Sequence, residues 1–108
     1  MTETTRLILL SAICLGLGMA AANAQPVPRL DVARTCRAEA APRTDKTATD
    51  VCMADEQRAH EQLLKEWEQF TADHKRTCLE LSRSFDQSYV ELLTCLETAQ
   101  QAAKAPKQ

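Results

Sequence analysis

The residues with most chemistry to offer are four cysteines, Cys36, Cys52, Cys78 and Cys95, and two histidines, His60 and His74. Zinc would want such ligands at short spacings, C-x-x-C or H-x-x-x-H, and neither pattern occurs. His60-Glu61 begins like a zincin helix, but Leu64 stands where that helix needs its second histidine. A redox active site would place two cysteines close together near a βαβ unit, and these are far apart. Asp55, Glu56, Glu61, Glu66 and Glu68 could supply an acid and a base. No apolar cleft is legible around them, however, so they read as the solvated face of a helix. No catalytic, cofactor-binding or metal-ligating residue is assigned, and the cysteines read as structural bridges.

That reading follows from the start of the chain. Arg6 precedes the uncharged apolar run Leu7 to Met19, and Ala22-Asn23-Ala24 supplies the small-x-small pattern that a signal peptidase cuts after. The run is shorter than the roughly 20 apolar residues of a clean membrane span. A fifth cysteine, Cys14, lies inside it after the bulky Ile13, which does not suit lipid attachment, and is discarded with the leader. Removing residues 1–24 from the 108 leaves 84, with four cysteines, placed in the periplasm or secreted. The leader holds one acid, Glu3, and one base, Arg6, so the formal charge stays at −2. That balance argues against nucleic acid or an anionic membrane as partner.

The elements that carry these residues read as helices. Cys52, Ala59, Leu63, Trp67 and Phe70 recur at steps of three, four and seven, forming one buried stripe of a long helix expected from about Ala48 to Phe70. Trp67 falls on that stripe and reads as core rather than as an interface anchor. Glu61 precedes Lys65 by four, an exposed pair adding only about 0.3 to 0.5 kcal/mol. Upstream, 25–29 is an extended leader with two prolines, and a short helix from Asp31 to Ala40 ends at Pro42. Downstream, Thr71 caps a helix from Ala72 to Ser82 or Ser84 with apolar positions Cys78, Leu79, Leu81 and Phe85. Ser88-Tyr89-Val90-Glu91 matches a capping box and opens a last helix. Its stripe is Tyr89, Leu92, Leu93, Leu96 and Ala99, extending to Ala103, before the polar tail 105–108. Both glycines of the chain precede residue 25, and no stretch alternates with period two. The expectation is an all-α, disulfide-stapled bundle of three to four helices spanning 30–104.

The cysteines fall at two near-equal intervals, 16 and 17 residues, about turns near Pro42 to Asp45 and near Asp86 and Gln87. Antiparallel helices about such turns favour the bridges Cys36 to Cys52 and Cys78 to Cys95. Four cysteines allow three pairings, and the nested set, Cys36 to Cys95 with Cys52 to Cys78, stays open. Loops of this length contribute roughly 3 kcal/mol each in the chain-entropy model, comparable with the ~3 to 5 kcal/mol of a small core.

The cluster Cys52, Asp55-Glu56, Ala59, Leu63-Leu64, Trp67, Phe70, Cys78, Ser88-Tyr89, Glu91-Leu92-Leu93 and Cys95-Leu96-Glu97 resembles a group of short exported proteins of alphaproteobacteria. It covers nearly all of the chain after the leader. The resemblance implies a periplasmic place and a helical disulfide fold, and carries no activity. The early cysteine pair and the late tryptophan of the long helix are also similar to the lysozyme-inhibitor-like helical domain. That resemblance implies inhibition of a glycosidase. The domain's Asp-x-x-Leu-Asn element is missing, so no site residue carries over. The leading expectation is a small periplasmic interaction or structural protein, not an enzyme, with a protein partner of unknown identity. Its alternatives are an inhibitor of lysozyme or another periplasmic hydrolase, and a redox or metal-handling protein with labile thiols.

Overall fold

The computed structural model describes residues 25–41 and 46–106. Residues 1–24, where the cleaved leader is expected, the expected turn from Pro42 to Asp45 and the last two residues lie outside them. All regular structure among the described residues is helical: α1 (Val32–Ala40), α2 (Lys46–Glu66), a 3₁₀ turn (Trp67–Gln69), α3 (Ala72–Ser84) and α4 (Tyr89–Lys104).

Each of three helix starts is set by a short polar side chain. The Asp31 carboxylate accepts from the Arg34 N–H at 3.2 Å, the Thr71 hydroxyl from His74 N–H at 3.1 Å, and the Ser88 hydroxyl from Glu91 N–H at 3.2 Å. These bonds satisfy amides that the first helical turn leaves without carbonyl partners. The long helix differs from expectation at both ends. It starts two residues earlier, at Lys46, and its α-helical part stops at Glu66. The chain then tightens into the 3₁₀ turn, in which residues three apart align on one edge. Trp67 and Phe70 are both buried there, so the core stripe continues although the α-helix does not.

Packing order differs from chain order. α2 lies between α1 and α4, and α4 lies between α2 and α3. The core is Ala59, Leu63, Trp67 and Phe70 from the α2 side, Cys78 and Leu79 from α3, and Tyr89, Leu92 and Leu96 from α4. Two disulfides clamp the neighbouring pairs: Cys36–Cys52 joins α1 to α2 and Cys78–Cys95 joins α3 to α4, with Cα atoms 5.6 and 5.8 Å apart. Both separations lie inside the range of about 4.4 to 6.8 Å that a disulfide spans. These are the pairs that the near-equal intervals favour, and the nested set is not adopted.

The segment before α1 is extended, as its prolines require, but it does not stand free. Val27, Leu30 and Val32 pack against the core. Trp67 Nε1 donates to the Gln25 carbonyl. The Tyr89 hydroxyl donates to the Pro28 carbonyl at 3.0 Å and accepts from the Leu30 N–H at 3.0 Å, and Asp31 N–H donates to Gln87 Oε1 at 2.6 Å. The arm is thus laced to both ends of the bundle.

Candidate functional site: the face at the start of α4

The first turn of α4 is where three parts of the chain meet, and a buried carboxylate organises it. Glu56 sits in the middle of α2 and is only 4% exposed. Its Oε2 accepts from Tyr89 N–H at 2.6 Å and from Val90 N–H at 3.4 Å, and its Oε1 accepts from the Ser88 hydroxyl. A carboxylate at a helix N-terminus is doubly favoured, by charge-assisted bonds to orphan amides and by the helix dipole. The expected capping box is therefore only half present. Ser88 bonds the Glu91 amide, but Glu91 is exposed and the carboxylate that serves the turn comes from α2. Reading Glu56 as part of a solvated face is corrected accordingly.

Beside this clamp, His60 stacks on Tyr89 with ring centroids 4.3 Å apart and planes 25° from parallel. It is half-buried, because Tyr89 of α4 stacks against it. His74 is also half-buried, in the first turn of α3. The remaining carboxylates do not converge. Asp55 pairs with Arg58, Glu61 and Glu66 accept from Gln57 and Gln62 along α2, and Glu68 is exposed. Among the described residues no group of three or more His, Cys, Asp or Glu side chains could hold a metal ion. Trp67 is core, as its place on the stripe implied, with the Lys75 ammonium 4.9 Å from its ring centroid.

The outer surface around the same turn holds most of the bundle's exposed large apolar side chains. Of five among the described residues, four gather here: Phe85 at 70% exposure, Val51 at 56%, Leu81 at 50% and Val90 at 40%, with Leu64 apart from them on α2. Phe85 follows Cys78 by seven residues and would face the core if α3 ran one turn further. The helix stops at Ser84, the backbone of Phe85 is extended, and the ring is left on the surface. Leu81 and Phe85 flank a hollow of about 200 Å³ whose floor is Leu92 and the Cys78–Cys95 bridge. Val51 and Val90 flank a second hollow of about 310 Å³, edged by Glu39 and Asp55. Glu91 lines both, so the two hollows adjoin at the first turn of α4. Reading Leu81 and Phe85 simply as helix-stripe residues did not reveal this. By its spacing of seven Phe85 shares the Cys78 face, so it is the end of α3 at Ser84 that leaves it on the surface, and no spacing in the sequence marks that.

Compared with known proteins, the chain matches no family model, no curated protein and no solved structure. The α4 face therefore stands on its geometry alone.

Proposed function

We propose that this chain is a small exported protein of the periplasm that acts by binding another protein, with no catalytic role of its own. The observation that carries the reading is the gathering of Phe85, Leu81, Val51 and Val90 around one turn. Contiguous exposed apolar surface rimmed by polar groups marks interaction sites on small soluble domains, whereas scattered apolar residues need no explanation. The frame beneath supports it, because the Cys78–Cys95 bridge and the Glu56 clamp hold the face without contribution from a partner. The periplasmic part rests on the leader pattern of residues 1–24 and is compatible with two disulfides and with described helices none of which is long and apolar enough to cross a membrane.

A photo-crosslinking residue placed at position 85 or 90 of the exported protein tests the reading in the periplasm. The expected result is a discrete protein adduct from those positions and none from position 58, on an exposed part of α2. Adducts independent of position would refute it. So would substrate turnover by the purified protein that disappears on a single substitution.

A further inference from the structure

We infer that the occupant of the α4 face is a cationic amphipathic segment of another protein, with apolar side chains in the two hollows and Lys or Arg side chains against Glu91 and Glu39. The inference rests on the interaction reading above and adds the chemistry of the partner.

Three observations select that chemistry. The first is the charge of the lining. Glu39, Asp55 and Glu91 line the hollows and no Lys or Arg does. Asp55 is already paired with Arg58, but the Glu39 and Glu91 carboxylates form no ion pair among the described residues. The cations of α3, Lys75, Arg76 and Arg83, line a different hollow beside Gln25, and Arg83 with Arg34 of α1 also lines a third hollow that Phe85 borders. The two hollows that adjoin at Glu91 are therefore apolar and acidic at once. A lipid or fatty acid headgroup would meet like charge here, and so would a second copy bringing the same carboxylates across a two-fold axis.

The second observation is an unsatisfied polar group. Ser82 lines the Leu81–Phe85 hollow, the residue is 6% exposed, and its Oγ is buried with no hydrogen-bond partner. A buried hydroxyl left so costs about 1 to 3 kcal/mol. A peptide's main-chain N–H or C=O entering the hollow beside an apolar side chain would recover it once the Ser82 side chain turns toward the hollow. The third is size. At about 200 Å³ the hollow exceeds the ~150 Å³ that admits benzene in an engineered cavity, and so accepts one Leu or Phe side chain. The adjoining hollow at Val51 and Val90 takes a second, which is the spacing logic of a helix laid in a groove.

The test uses the oxidised protein without residues 1–24 and three synthetic peptides of equal length. One has a Leu stripe at helical spacing with Lys elsewhere, one replaces each Lys by Glu, and one replaces each Leu by Ala. The Leu/Lys peptide is expected to bind, shifting the amide resonances of Phe85, Val90 and Glu91, and the other two are not. Phe85→Ser should weaken binding about tenfold or more, from the loss of one buried aromatic. Glu39→Gln with Glu91→Gln should weaken it about three- to tenfold and more at low salt, as exposed charge pairs do. Glu80→Gln, on the other side of α3, should change nothing. Equal binding of the Glu peptide, shifts confined to Lys75, Arg76 and Arg83, or indifference to both α4-face variants would overturn the inference. So would sedimentation showing a dimer that Phe85→Ser dissolves, since a second copy would then own the face. If no peptide binds while positions 85 and 90 still give a discrete adduct in the periplasm, the cationic partner is wrong and the interaction reading stands. If the adduct is absent too, both fall.

Discussion

Glu56 is the residue whose environment departs furthest from its type. A carboxylate this buried is tolerated because its oxygens accept from the Ser88 hydroxyl and from two main-chain amides of α4. Glu56→Ala would leave Tyr89 N–H and the Ser88 hydroxyl buried without an acceptor. The expected cost is about 3 kcal/mol, read from urea unfolding. Glu56→Gln keeps one acceptor oxygen and should lose less than half as much. Equal losses would mean that the charge, not the hydrogen bonding, holds α2 to α4. The residue was partly legible beforehand. The stripe steps by seven from Cys52 to Ala59, and position 56 is the vacant place between them. A Glu there is buried by periodicity, but which amides it serves depends on α4 arriving beside α2, and nothing local encodes that.

At the scale of elements, helices and caps were readable because their causes are local. Thr71 and Ser88 bond amides three residues away, and Pro42 follows directly on Ala41, whose extended backbone ends α1. The 3₁₀ turn after Glu66 and the course of the arm 25–31 were not, because both are settled by what packs against them. Tyr89 shows how. Its hydroxyl bridges Pro28 and Leu30 across some sixty residues of chain, while its ring carries His60. Tyr89→Phe removes the bridge and keeps the ring. Global stability should fall by only about 1 kcal/mol. The Leu30 amide, now without an acceptor, should exchange with solvent at a rate set by local opening of the arm. Unchanged protection of Leu30 would show that the packing of Val27 and Leu30 holds the arm by itself.

For the molecule as a whole, the two bridges close loops of nearly equal length, 16 and 17 residues, so chain entropy assigns each about 3 kcal/mol. Their surroundings are unequal. α1 packs against α2, at one edge of the bundle, whereas α4 is central and touches both α2 and α3. Replacing Cys36 and Cys52 by Ala should therefore lower the urea midpoint and raise amide exchange in α1 ahead of the rest. α2, α3 and α4 would keep their protection, because the core cluster draws nothing from α1 beyond the partly buried Val32. Replacing Cys78 and Cys95 by Ala should lower the midpoint by a similar amount but spread faster exchange through α3 and α4 together. That bridge is also the floor of the hollow between Leu81 and Phe85. Its loss should weaken binding of the Leu/Lys peptide under conditions where the protein is still folded, while loss of Cys36–Cys52, which loosens only the Glu39 edge of the second hollow, should weaken it by a smaller factor. Equal effects of the two variants on the peptide would place the binding surface elsewhere than over the Cys78–Cys95 bridge.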